Sequence, residues 1–236
     1  MDSVNRGTAA AVALLLVLAG ASPAPHPPRG AQARPDPVLF VHGWRGNAAQ
    51  WRAMRARFRA DGWRDSELYA WTLEPSASNA AGAARIAARI DQILVATGAA
   101  RVDIVAHSMG SLSSRHYLKT PASARKVDAW VSLGGPNHGT GAAEICLADD
   151  CREMRRGSPF LAALNRGDET PGAVRYATWW SPCDEWIDPP ESAALDGAAN
   201  HRTRCISHLE LLRDSTVYRE LRDFIAADSP SRRQVE

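Results

Sequence analysis

The stretch of this sequence best equipped for chemistry is Ala106-His107-Ser108-Met109-Gly110. A serine set between an apolar β-type run and a helical run, with small residues two positions away on either side, fits a nucleophile elbow. That tight, strained turn lifts a hydroxyl above the edge of a sheet. It also places the next backbone N–H, that of Met109, at a helix start facing negative charge as it develops. Gly110 meets the need for a small residue; Ala106 stands where glycine is commoner but is still small. A serine alone is a poor nucleophile at neutral pH and needs a base.

In a parallel sheet, the acid and base serving such a serine follow it along the chain, at the C-terminal ends of later strands. With a strand expected over Thr203 to Ile206, His208 lies just past its end and is the expected base. His201 precedes that strand, at the opposite edge. His107 flanks the serine and is expected to point away, and His42, His116 and His138 come too early or sit on other elements. Asp184 follows the expected strand Arg175 to Thr178 and is the expected acid, holding the imidazole tautomer and stabilising its charged form. Glu185 and Asp188 are its nearby rivals, otherwise solvated loop charges. Asp103 is mid-strand, where a structural hydrogen-bonding role is expected, and Asp128 is at the wrong edge.

The loop Val41-His42-Gly43-Trp44-Arg45-Gly46 is the expected source of the second oxyanion donor. Gly43 allows close backbone approach, the Trp44 N–H is the candidate, and His42 reads as a locally bonded brace. Four cysteines, Cys146, Cys151, Cys183 and Cys205, permit three disulfide pairings. Cys146–Cys151 and Cys183–Cys205 are favoured, because the second would tie the acid loop to the base loop. The spacings match no zinc pattern.

These residues need a scaffold to bring them together. Val38 to Val41 is an unbroken apolar run, as a strand buried on both faces requires. Helical spacing follows over Asn47 to Ala60, and a strand candidate over Glu67 to Trp71. Ala80 to Ala96 is the clearest helix, with Ile86, Ile90, Ile93 and Leu94 on one face and Gly98 ending it. Val102 to Ala106 and Val127 to Leu133 read as strands, and Leu112 to Leu118 and Thr216 to Ala227 as helices. This alternation predicts an α/β fold with about six mainly parallel strands and helices on both faces. Gly139 to Val174 is a long connection with one short helix expected near Ser158 to Asn165.

The 236 residues, 45% hydrophobic and 23% charged, suit one domain after a leader. Arg6, the apolar run Ala9 to Leu18 and Ala19-Gly20-Ala21 describe a signal peptide over residues 1–21, with Ala31-Gln32-Ala33 a second cleavage site. The run is too short for a spanning helix. A Pro/Ala-rich linker over 22–36, a catalytic domain over 37–228 and a disordered tail over 229–236 complete the expected layout. Even cysteine usage agrees with export. A net charge of +2, with basic residues spread along the chain, gives no argument for nucleic acid.

From about Pro37 to Phe224 the chain resembles the small class 2 secreted bacterial lipases of the α/β-hydrolase superfamily. The resemblance is carried by His42-Gly43, by Arg101 through Gly110, by Leu133-Gly134-Gly135-Pro136-Asn137-His138-Gly139-Thr140, by the Asp184 segment, and by His208 with Leu209, Leu211 and Leu212. It implies a minimal α/β-hydrolase fold, a Ser108–Asp184–His208 triad and oxyanion donors on the backbones of Trp44 and Met109. Ser111 departs from a frequent glycine. The stretch 141–175 is longer than in the smallest members, so an uncovered site does not carry over automatically. The implied chemistry is two-step acyl transfer without metal or organic cofactor, on acylglycerols or simpler fatty esters, by an extracellular monomer with transient contact at a lipid interface. A polyester depolymerase, thioesterase or acyltransferase would use the same residues; a catalytically silent binding protein would tend to have lost Ser108 or His208. Trp44, Trp179, Trp180, Trp186 and Phe160 are expected near the catalytic edge, as an apolar acyl site or as plain packing.

Overall fold

The computed structural model describes residues 35–72, 78–121 and 123–227. The expected signal peptide, most of the linker and the expected tail lie outside the described residues. The elements run β1 (Val38–Val41), α1 (Arg52–Ala60), β2 (Leu68–Trp71), α2 (Asn79–Thr97), β3 (Val102–His107), α3 (Met109–Leu118), β4 (Val127–Leu133), α4 (Asp149–Arg152), α5 (Pro159–Leu164), β5 (Arg175–Trp180), β6 (Ala199–Arg202) and α6 (Ser215–Ala226). The strands form one six-stranded sheet in the order β2-β1-β3-β4-β5-β6, and every pairing is parallel.

Side chains alternate across a strand, so two-sided burial turns a strand into an unbroken apolar run. Along β1, Val38 and Phe40 join Trp51, Met54, Phe58, Val217 and Leu221 in the layer under α1 and α6. Leu39 and Val41 face the other way, onto Ile86, Ile90 and Ile93 of α2. The ends of the helices follow local chemistry. Ser78 accepts the Ala81 N–H to start α2, and Gly98, at φ 68°, ends it. Asp214 accepts the N–H groups of Thr216 and Val217 to start α6.

Two elements differ from the expectation: the long connection carries α4 in addition to the one short helix expected there, and the last strand lies elsewhere. The last strand is Ala199–Arg202, paired with β5 from Ala177↔Ala199 to Trp180↔Arg202, and Thr203 to Ile206 is the connection beyond it. The strand is an exposed sheet edge, so its polar Ala-Asn-His-Arg sequence carries no apolar signal; main-chain pairing defines it. His201 is therefore inside the strand rather than before it, stacked on Trp179 with ring centroids 4.3 Å apart.

At the N-terminal ends of the strands, Asp36, Asp103 and Asp128 bring carboxylates within 4.8 Å of one another. Asp128 is paired with Arg175 (2.7 Å) and Arg101 (3.1 Å). Asp103 is buried and accepts the Ala129 N–H at 3.1 Å, the structural role expected of it. Burial, then the charges of Asp36 and Asp128, push its carboxyl well above the usual range. The folded state thus binds this proton more tightly than the unfolded chain, and stability falls as pH rises above about 4. Asp103→Asn keeps the acceptor and removes the charge. It is expected to raise the melting temperature by roughly 2–4 °C near neutral pH, with no gain near pH 4. Thermal scans across that range check this; a variant that melts lower at pH 7 would contradict it.

Candidate active site

The turn between β3 and α3 consists of Ser108 alone, with φ 52° and ψ −132°. A non-glycine residue in such a conformation costs about 1–3 kcal/mol and persists only where its surroundings enforce it. Here the Ser108 N–H donates to Leu133 O at 3.0 Å, and the Ser111 N–H donates to Ser108 O at 2.9 Å. The loop after β1 crosses directly over the serine. A Cβ on Gly43 would lie 2.6 Å from Ser108 Cβ, so glycine is required for that approach. His42 donates from Nδ1 to Gly43 O at 2.8 Å and braces the loop, as its sequence position suggested.

Two further loops bring His208 and Asp184 together. His208 Nδ1 is 2.8 Å from Asp184 Oδ2, and both residues are buried. The other carboxylate oxygen of Asp184 accepts the N–H groups of Trp186 and Ile187, each at 2.9 Å, so the carboxylate cannot swing. Gly134, at φ 55°, passes beneath this pair: a Cβ there would stand 3.0 Å from both Asp184 Oδ2 and His208 Nδ1. Ser181, which the sequence did not single out, ties the two loops. Its Oγ donates to Ile206 O and accepts the N–H groups of Ile206 (3.0 Å) and Cys183 (3.1 Å). The disulfide Cys183–Cys205 lies alongside, with Cα atoms 5.0 Å apart.

Both disulfides pair as the sequence suggested, the other being Cys146–Cys151. Closing the 22-residue separation of Cys183 and Cys205 stabilises the fold by roughly 3 kcal/mol in the chain-entropy model. Replacing both cysteines by serine is expected to lower the melting temperature by roughly 6–12 °C, measured by calorimetry. An unchanged melt would show that the loops are held by Ser181 and its neighbours alone.

Ser108, His208, Gly43, Trp44 and His107 line a single cavity of about 830 Å³. Its far wall comes from the long connection after β4 and includes Ala143, Ile145, Leu147, Met154 and the Cys146–Cys151 disulfide. Arg155 braces that wall by donating to the carbonyls of Ala143, Glu144 and Cys146 at 3.1, 3.1 and 2.7 Å. Glu153 fastens it to the start of α2, accepting from Asn79 N (2.6 Å) and Nδ2 (2.8 Å). Ile145, Leu147, Trp186 and Leu209 line the cavity and also stand exposed to solvent. Periodicity could not find Ile145 and Leu147, because they belong to an irregular segment.

Several expectations are corrected here. His107 does not point away: its ring packs on the His208 ring, centroids 4.4 Å apart, and it lines the cavity. Of the aromatic residues expected at the rim, only Trp44 and Trp186 line the cavity. Trp179 is fully buried in the layer under α6 and donates to Glu220 at 2.8 Å. Trp180 sits beneath Arg202, and Phe160 packs beside His116. Neighbours in a strand face opposite ways, which separates Trp179 from Trp180. Among the rival acids, Glu185 bonds the His208 N–H and Asp188 lies 3.9 Å from Arg156, so neither meets the imidazole through Nδ1.

Comparison with known proteins bears on the fold and the family. The structure of Aspergillus fumigatus lipase B superimposes with a TM-score of 0.72 at 18% identity, covering 83% of this chain and 54% of that one. The present chain thus spans about half the length of that enzyme. Bacillus licheniformis lipase BlEst2 in its mature form matches at 0.70 and 18% identity, covering 85% of this chain and 96% of that one. A thermophilic esterase from Thermogutta terrifontis matches more loosely, at 0.57 and 14%, over 80% and 89%. At such identities these likenesses concern the fold. The family follows from the sequence itself, since residues 35–205 match the model of class 2 lipases. That match runs from the strand before the Gly43 loop through the elbow and Asp184 to Cys205, and on this ground the chain belongs to the class 2 lipase family, with the α/β-hydrolase fold.

Proposed function

We propose that the protein is an exported serine carboxylester hydrolase that cleaves acylglycerols or simpler fatty esters through an acyl-enzyme. Ser108 Oγ attacks the ester carbonyl while His208 Nε2 takes its proton. Asp184 keeps the imidazole proton on Nδ1 and stabilises the imidazolium. The tetrahedral oxyanion is received by the main-chain N–H groups of Trp44, beside Gly43, and Met109, at the first turn of α3. His208 then returns the proton to the departing alcohol oxygen. In the second half-reaction it takes a proton from water as the water oxygen bonds to the acyl carbon, then passes that proton to Ser108 Oγ as the acyl–Oγ bond breaks and the acid leaves.

One observation carries this reading: Ser108, held at a positive φ, faces the same cavity as His208, whose Nδ1 is bonded to a buried carboxylate. The cavity wall is mostly apolar, which suits an acyl chain, and Arg45 and Asp150 are the charged residues in its lining. Export is supported by the leader-like N-terminus and by two disulfides. No helix among the described residues is long and apolar enough to cross a membrane.

The test is hydrolysis of p-nitrophenyl esters of graded chain length and of tributyrin by the secreted chain, with its N-terminus read by mass spectrometry. Cleavage of these esters, and a chain beginning after Ala21 or Ala33, are the expected results. Turnover of thioesters or a polyester film in their place would assign the same residues to another acyl transfer.

A further inference from the structure

His208 lies beyond the end of β6 at Arg202, in a stretch without strand pairing. Asp184 holds its ring, yet an imidazole is placed no better than the main chain that carries it. Two side chains grip that main chain. Glu185 Oε2 accepts the His208 N–H at 2.9 Å. On the other side, His107 Nε2 is 3.3 Å from the His208 carbonyl oxygen. A carbonyl only accepts, so this nitrogen carries the proton and donates. Nδ1 is then the bare nitrogen, and it is a buried atom without a hydrogen-bond partner among the described residues. Burial and the adjoining His208 hold His107 well below the usual histidine range, so it stays neutral. A second cation would oppose the imidazolium that forms beside it.

We infer that His107 and Glu185 are positioning residues for the base, holding the peptide units on either side of His208 and so setting where its Nε2 meets the Ser108 hydroxyl. The inference rests on His208 serving as base to Ser108. The two residues come from the elements that matter most. His107 ends β3 immediately before Ser108, so the strand that presents the hydroxyl also holds the base loop. Glu185 follows Asp184, so the acid loop holds the other side. Misplacing a reacting group by about 1 Å costs on the order of 10²-fold in rate, and these contacts act on that scale.

The test compares kcat and KM for p-nitrophenyl butyrate in His107→Phe, His107→Gln, Glu185→Ala and Glu185→Gln, with a melting curve for each. His107→Phe keeps a ring but leaves a buried carbonyl without its donor. It is expected to lower kcat by roughly 10- to 100-fold with KM nearly unchanged. His107→Gln can donate to the same carbonyl and should restore most of the rate. Glu185→Ala should lower kcat about tenfold, and Glu185→Gln, whose amide oxygen still accepts, should recover it. Glu185 is exposed, so its pair of variants decides the matter even if His107→Phe fails to fold. Wild-type kcat in Glu185→Ala, glutamine variants no better than the disruptive ones, or losses confined to KM or to the melt would overturn the inference. An inactive wild-type enzyme would instead sink the reading of the site itself.

Discussion

Ser108→Ala is expected to reduce kcat/KM for a short-chain ester by roughly 10⁴- to 10⁶-fold while the protein stays folded. The size of the effect follows from the absence of a substitute nucleophile among the described residues. Ser111 and Ser114 are nearby in α3 but fully buried and engaged with Ser132, Trp130 and Gly110, so neither hydroxyl can turn to the cavity. What survives is the part of the rate owed to binding and the oxyanion donors. Ser108→Gly should be as inactive yet melt higher, because glycine adopts the positive φ without strain. Steady-state rates and melting curves on the three proteins check both statements. An alanine variant with a tenth of the native rate would remove Ser108 from the mechanism.

The second large effect belongs to Asp184→Asn, for which a loss of about 10⁴-fold in kcat is expected. The substitution is nearly isosteric. The amide oxygen can still accept the N–H groups of Trp186 and Ile187, while the amide N–H₂ turns toward His208 Nδ1. A donor facing Nδ1 forces the ring proton to Nε2, the nitrogen that must accept from Ser108. The base is then present, well placed and in the wrong tautomer. Structure and stability should change little, and an enzyme keeping a tenth of its kcat would show that Asp184 is not the partner that matters. Glu185→Gln is the matched control on the adjacent residue.

How far the sequence foretold this molecule depended on what each residue's environment writes into the chain. β1, β3 and β4 were legible because two-sided burial forces runs such as Val38-Leu39-Phe40-Val41 and Val102-Asp103-Ile104-Val105. The sheet-edge strand β6 was not, since main-chain pairing at an exposed edge allows polar residues such as Asn200 and Arg202. Chain order pointed to His208 and Asp184, although His208 lies on the connection beyond β6 and not just past a strand over Thr203 to Ile206. The direction of His107 could not, because it depends on the strained turn at Ser108, which brings its ring against His208. The rim was only half readable. Trp44 lies in the loop beyond β1 and reaches the cavity, whereas Trp179 lies within β5 on its core face. Ser181 carried no sequence signal at all; its hydroxyl matters through two peptide groups at Ile206 and one at Cys183.

The central claim is that the Ser108 hydroxyl is made nucleophilic by His208 and that its attack builds charge toward the N–H groups of Trp44 and Met109. A crystal structure of the enzyme after reaction with an alkyl p-nitrophenyl phosphonate tests this most directly. Phosphorus is expected bonded to Ser108 Oγ, with the phosphoryl oxygen accepting from both N–H groups and the alkyl chain running along Ala143 and Met154. Phosphorus on any other residue, or a phosphoryl oxygen turned away from both donors, would contradict it.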